Sequence, residues 1–196
     1  MKIDFWYEFA STYSYLSAMR IEDAARAKGV TVQWKPFLLG PIFNSQGWND
    51  SPFNIYPAKG AYMWRDMERQ CAAYGLAFSK PDIFPVHSVT AARLAWLGSQ
   101  ADWCPAFSCK VYHAQFAAGL DISDEGVLGN ILNDLNLPAD DLLAQTQAPE
   151  TKSGLREQTE AAAANSIFGA PSFLVGTELF WGDDRLDAAL EFARTA

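Results

Sequence analysis

What most constrains this chain is a change of hydrophobic period close to its start. Ile3 to Phe9 alternates loosely and is rich in aromatic residues, the pattern of a strand buried on both faces. From Thr12 to Lys28 the apolar positions Leu16, Met19, Ala24 and Ala25 recur near helical spacing, and Gly29 stands where a glycine ends a helix. Val30 to Leu39 reads as a second strand. Strand, helix and strand in succession make a βαβ unit, whose crossover forces the second strand parallel to the first.

The middle of the chain has a different texture. Gly40 to Gly60 carries Pro41, Pro52 and Pro57 among Asn, Ser and Gly, and reads as a long loop of the kind that often holds function. From Ala61 to about Ser166 the pattern is helical. Met63, Met67, Cys71 and Tyr74 form one apolar stripe, and Val127, Leu128, Ile131, Leu132 and Leu135 another. Both stripes read as core. Strands return at Ser172 to Val175 and Leu179 to Trp181, around a hairpin turn at Gly176 and Thr177. Asp184 to Ala193 is a final amphipathic helix. The plan is βαβ, an all-helical insertion, then ββα. Both chain ends must then pair in one sheet, which gives a domain of residues 1–60 and 167–196 and a helical insertion over 61–166.

Composition narrows the function. The 196 residues are 49% hydrophobic and 19% charged, which suits a soluble globular chain with a substantial core. The net charge is −8 with no block of Lys or Arg, which argues against nucleic acid as the partner. An anionic ligand would need local groups to hold it against that field. No apolar run approaches the ~20 residues that span a bilayer, and Asp4 and Glu8 interrupt the first apolar stretch, so neither a membrane span nor a secretory signal is expected. A cytoplasmic location follows as the expectation. Cys71, Cys104 and Cys109 form no CxxC pair and read as reduced core thiols, and His87 and His113 lack metal-ligand spacing, so no metal is expected.

Two stretches carry chemistry. In FASTYSYL, Phe9 to Leu16, Ser11 falls where strand gives way to helix, with Ser14 one turn on and nearly on the same face. A Ser there can cap the helix by accepting from a free amide of its first turn. Equally, the free amides and partial positive charge of the helix start can hold an anion, to which the hydroxyl adds a hydrogen bond. In FGAPSFLV, Phe168 to Val175, Pro171 precedes a strand and follows small residues, which suits an edge position or a cis peptide. The Ala170 backbone beside it remains able to pair with an extended, peptide-like ligand.

A βαβ unit with the functional group at its first helix, a helical insertion, and a proline opening ββα together resemble the thioredoxin fold. Redox members of that fold place two cysteines where this chain has Ser11-Thr12-Tyr13-Ser14, so disulfide exchange by its own thiols is not expected. The stretches DFWYEFASTYSYL, NIYPAKGAYMWRD, FPVHS, FGAPSF and FWGDDRL, in that order, resemble the 2-hydroxychromene-2-carboxylate isomerase family, bacterial relatives of kappa-class glutathione transferases. That resemblance implies a glutathione-dependent isomerase of an aromatic carboxylate, acting as a homodimer. It assigns activation of the glutathione sulfur to Ser11; Ser14, one turn on and nearly on the same face, is by that spacing a second candidate for the same ligand. The resemblance assigns the cysteinyl backbone to Ala170 and Pro171, and the γ-glutamyl end to Trp181, Gly182, Asp183 and Asp184. Asn54, Ile55, Lys59 and His87 then face the substrate, Asn54 and Lys59 reaching glutathione too. Thr12 stands where the family commonly has Pro, which bears on loop stiffness. His87 stands where Asn is usual, which bears on substrate choice.

The residue types agree with that implication. A thiol with a pKa near ~8.5 is mostly protonated at neutral pH, and a hydroxyl donor at a helix start lowers that value. Lys59 could pair a carboxylate, and one of Asp183 and Asp184 could cap the last helix while the other receives an ammonium. Two other functions stay open on sequence grounds: a kappa-like transferase or peroxidase that consumes glutathione, and a non-catalytic binding module on the same scaffold.

Overall fold

The computed structural model describes residues 1–195. Its centre is a four-stranded sheet in the order β2-β1-β3-β4. Strand β1 (Lys2–Tyr7) pairs parallel with β2 (Thr31–Pro36) and antiparallel with β3 (Ser172–Val175), which pairs antiparallel with β4 (Glu178–Trp181). The two chain ends therefore build one thioredoxin-like α/β sheet across the intervening helices, as the sequence pattern requires. β1 is central and buried on both faces. Ile3, Phe5 and Tyr7 join the main core, whereas Trp6 packs with Phe37, Ile42, Ala162, Ile167 and Leu174 on the other side. Phe5 and Phe173, registered across the strands, stack with centroids 5.5 Å apart, the cross-strand contact that fixes an antiparallel pair.

The expected single helix from Thr12 to Lys28 is in fact two, α1 (Thr12–Ala18) and α2 (Ile21–Ala27). Its pitch tightens at the break, where the Arg20 amide bonds to the Ser17 carbonyl. The Arg20 side chain returns to the Leu16 carbonyl and then reaches Asp183, so tertiary contacts hold the break. Gly29 closes α2 at φ +68°, as expected.

The expected loop from Gly40 to Gly60 is also corrected. It contains α3 (Leu39–Ser45) and α4 (Pro52–Ile55) and runs into α5 (Pro57–Tyr74). Pro52 and Pro57 do not break helices; they begin them, where the missing amide costs nothing. Tyr74, read as part of a core stripe, is 37% exposed and faces the site, while Met63, Met67 and Cys71 are buried as expected. Helices α6 (Val89–Ser99), α7 (Cys104–Phe116), α8 (Glu125–Asp134), α9 (Ala139–Gln145) and α10 (Pro149–Ala164) complete the segment. After β4, a single 3₁₀ turn (Asp183–Arg185) precedes α11 (Leu186–Thr195), so the last helix starts two residues later than its sequence pattern suggests. No helix among the described residues is long and apolar enough to cross a membrane.

Candidate active site

A cavity of about 950 Å³ opens between one end of the sheet and the helices that follow β2. That is the upper part of the range of roughly 300–1,000 Å³ usual for small-molecule sites. One wall comes from the sheet: the turn after β1, the stretch before β3 and the turn after β4. The other comes from α3 to α5 and the segment before α6.

Ser11 joins the parts of the sheet wall. Its backbone is extended at φ −83°, ψ 117°, and its Oγ accepts from the Ser14 amide at 3.2 Å, so it is the N-cap of α1. The same hydroxyl donates to the Ala170 carbonyl at 2.8 Å and lies in the cavity lining. Capping and access to a ligand are therefore compatible, because the cap uses a lone pair and leaves the proton free to turn toward the cavity. The Ala170–Pro171 peptide is cis, as anticipated, but β3 is an inner strand, so an edge position is excluded. Phe84–Pro85 is also cis, a feature not foreseen from the sequence. The Ala170 amide has no protein acceptor among the described residues, while its carbonyl holds Ser11.

Ser14 does not join them. It is fully buried and does not line the cavity, because the helix turns it inward toward α7.

The turn after β4 is anchored more firmly than capping alone would require. The Gly182 amide bonds to the Pro171 carbonyl at 3.0 Å, and Gly182 takes a φ of +108°, open to glycine. Asp183 is buried and accepts from Ser17 Oγ at 2.7 Å, Arg20 Nη2 at 2.8 Å and Tyr74 Oη at 3.2 Å. The Arg20 guanidinium also lies 3.9 Å from the Tyr74 ring centroid. Asp184 is exposed and pairs with Arg185 at 2.9 Å. Trp181 is exposed over Gly169, where a Cβ would come within 2.4 Å of its Nε1, and meets Phe168 edge-on at 4.9 Å.

On the helical wall, Lys59 and His87 line the cavity and are exposed. Asn54 and Ile55 do not line it. Asn54 instead ties the wall together, donating to the Asp50 carboxylate at 3.2 Å and to the Phe84 carbonyl at 3.1 Å. Ile55 points to solvent because α4 is a single turn with no buried residue. Tyr13 crosses between the walls by donating to Asp66 at 3.0 Å. Burial and the Asp66 carboxylate both hold the Tyr13 phenol above its ordinary range.

Sequence reasoning missed one lining residue of consequence. Glu8, directly after β1, is 6% exposed and accepts from Ser88 Oγ. Burial raises its carboxyl to about 7, against the lowering effect of the Ser88 hydroxyl and the Ala10 amide. The signal is a carboxylate inside an aromatic run, a group costly to bury unless it is hydrogen-bonded or neutralised.

The whole chain now bears comparison with known proteins. Residues 2–192 match the DsbA-like thioredoxin domain. A 2-hydroxychromene-2-carboxylate isomerase of Sphingobium xenophagum is 32% identical over 94% of both chains. The chain belongs to the 2-hydroxychromene-2-carboxylate isomerase family, within the DsbA-like thioredoxin domains. The glutathione S-transferase kappa 2 of Caenorhabditis elegans is 24% identical over 97% of this chain and 90% of its own. A solved 2-hydroxychromene-2-carboxylate isomerase superposes with a TM-score of 0.89 at 24% identity, covering 100% of this chain and 95% of that one, a likeness that establishes the fold.

Unlike redox members of the fold, this chain presents no thiol to the cavity. Burial raises Cys71 and Cys104 to about 11 and Cys109 to about 12, and none of the three lines the site. Among the described residues, Lys59 is the only Lys or Arg in the lining, against Glu8, Asp50, Asp66, Asp183 and Asp184. Asp183 is neutralised from behind by Arg20.

Proposed function

We propose that this protein is a glutathione-dependent isomerase that interconverts 2-hydroxychromene-2-carboxylate and trans-o-hydroxybenzylidenepyruvate, or a closely related intermediate of aromatic degradation. The carrying observation is the Ser11 hydroxyl, set in the cavity against the Ala170–Pro171 step, in a chain whose own thiols lie outside the cavity and are raised well above neutrality.

The site fits a tripeptide thiol. Ser11 Oγ would donate to its sulfur, the unpaired Ala170 amide would meet its backbone, exposed Asp184 would take its ammonium while Asp183 stays bound to Arg20, and Lys59 would take a carboxylate. When bound, glutathione would supply a thiolate able to add reversibly to a conjugated double bond, the chemistry that an isomerisation needs. α1 has only seven residues, so its dipole is small and the hydroxyl carries more of the anion's stabilisation. To serve, Ser11 must turn its proton from the Ala170 carbonyl to the ligand, while its cap bond from Ser14 stays. The apolar part of the lining, with Trp48, Phe53 and Phe84, suits an aromatic ring and excludes water from it.

The similarity to a kappa-class transferase favours a second reading, transfer or peroxide reduction, and one assay separates the two. Isomerase turnover with total glutathione unchanged supports the proposal; glutathione consumed in step with product supports the transferase. No binding of glutathione by calorimetry removes both and leaves a binding module. A homodimer in the cytoplasm is part of the proposal, and sedimentation equilibrium tests the dimer.

A further inference from the structure

Within the sheet wall, Glu8 is the carboxylate that no cation balances. Asp183 has Arg20, and Asp184 has Arg185. Glu8 has a hydroxyl donor, Ser88, and no neighbouring charge acts on it strongly. Its backbone is pinned twice: its carbonyl accepts from the Ser11 amide at 2.9 Å and from Tyr112 Oη at 2.9 Å. Glu8 and Ser11 are thus the first and fourth residues of one turn, positions whose Cα atoms lie within roughly 7 Å. Both line the same cavity. A carboxyl so buried, fixed beside the residue that would hold the reacting sulfur, is placed for proton transfer rather than for binding by charge.

We infer that Glu8 is the group that exchanges a proton with the substrate, giving it to the ketone oxygen of the bound 2-oxo acid as negative charge gathers there. The inference rests on the isomerase reading above. The proton returns to the Glu8 carboxylate when the substrate double bond is restored. The O–H bond made to substrate is the one then broken, Glu8 ends as it began, and no oxidant or reductant takes part. A neutral acid aimed at developing oxyanion charge is an effective stabiliser in a site shielded from water. The ionisation near about 7 means that the acid form is well populated at neutral pH. Ser88 and His87 approach from the start of α6, and Tyr112, itself held protonated by burial, from α7. The other charged groups of the lining are Lys59, Asp50, Asp66, Asp183 and Asp184.

The test uses Glu8→Gln and Glu8→Asp with four readouts: glutathione affinity by calorimetry, thiolate absorbance of the complex, turnover against pH, and pH-difference infrared spectra of the free protein. Wild type should show a protonated-carboxyl band that titrates near about 7 and is missing from Glu8→Gln. Glu8→Gln should bind glutathione as tightly as wild type and keep the thiolate absorbance, yet lose ~10²-fold in kcat. Its kcat should no longer fall as pH rises through neutrality, and Glu8→Asp should recover part of the rate. Wild-type kcat in Glu8→Gln overturns the inference. So does loss of the thiolate absorbance along with turnover, which would make Glu8 the base for the thiol instead. Absence of the infrared band in wild type overturns it as well. A wild type without isomerase activity sinks the isomerase reading and this role together, whereas an active wild type with an equally active Glu8→Gln sinks the role alone.

Discussion

The two walls of the cavity are built by different means. On the sheet wall, Glu8, Ser11, Pro171 and Asp183 are wholly or partly buried; Glu8, Ser11 and Asp183 each have hydrogen bonds to more than one part of the chain, and Pro171 is tied to the turn after β4 through Gly182. On the helical wall, Asn54, Lys59 and Tyr62 are exposed, and short helices α3 and α4 bury little beyond Ile42. A wall that is fixed before ligand arrives can stabilise charge without reorganising, which is what catalysis needs. A wall of exposed side chains, on α4 and the start of α5, suits selection of a ligand. Chemistry should therefore depend on the first wall and affinity on the second.

The hardest test of that division is Ser11→Ala. It removes a donor from the sheet wall while the backbone turn to Glu8 remains. Turnover should fall by ~10²-fold or more, as for loss of a single oxyanion donor. Stability should fall by only ~1 kcal/mol, the worth of an N-cap. Steady-state kinetics beside urea unfolding read both; a stability loss large enough to explain the rate would erase the contrast.

Asp183→Ala probes the same wall through its framework. Arg20 is left without its buried carboxylate, and Ser17 and Tyr74 lose their acceptor. Breaking a fully buried pair costs ~3–5 kcal/mol, but Arg20 is partly solvated here, so we expect ~2–3 kcal/mol in urea unfolding. Arg185→Ala, which breaks the exposed pair with Asp184, should change stability by less than about 0.5 kcal/mol. Equal losses in the two variants would deny buried Asp183 its part in fixing the sheet wall.

The same division governed what the sequence made legible. Ser11, Ala170 and Pro171 sit at ends of strands, where strand periodicity locates them to within a residue or two, whereas Asp183 is singled out only by the family resemblance. The sequence pattern fuses α1 and α2 because the break at Arg20 is held by Asp183, a residue far along the chain whose position no local pattern reports. The stretch containing Asn54 and Lys59 reads as loop because prolines punctuate it, yet Pro52 and Pro57 begin helices and Pro41 lies in the first turn of α3. Ser14 was assigned to the ligand by its spacing from Ser11, but helical spacing cannot tell the buried from the open side of a turn. Glu8 does not stand out in the sequence because burial, which makes it unusual, appears only in the assembled sheet.

Stability against pH gives a further handle on the sheet wall. Folding raises the Glu8 carboxyl to about 7 from an ordinary value of 4.5. Between those values the folded chain binds the extra proton and the unfolded chain does not, so this group's contribution to stability falls as pH rises and levels off above about 7. Glu8→Gln cannot ionise. It should be more stable than wild type at pH 8 by ~1–3 kcal/mol, an advantage that vanishes toward pH 4. Urea unfolding of both proteins across that range checks the sign. A constant difference would mean that Glu8 ionises as an ordinary surface carboxylate.

Lys59 offers the smallest effect and the cleanest reading of the helical wall. It is exposed, stands in the first turn of α5 with its Nζ 5.7 Å from the Tyr56 ring, and has no carboxylate within ion-pair distance among the described residues. Its charge is thus unspent in the free protein, and a carboxylate ligand entering an otherwise acidic cavity would meet it. An exposed pair is worth ~0–1 kcal/mol, so Lys59→Ala should raise KM by up to about fivefold and leave kcat nearly unchanged, the mark of binding shared by ground and transition states. Added salt should weaken binding to wild type more than to the variant, because screening acts on the charge the variant lacks. Lys59→Arg should keep most of the affinity, since a long-range charge rather than a fixed hydrogen-bond geometry is at stake. A fall in kcat with KM unchanged would place Lys59 among the reacting groups and break the separation of chemistry from selection between the two walls.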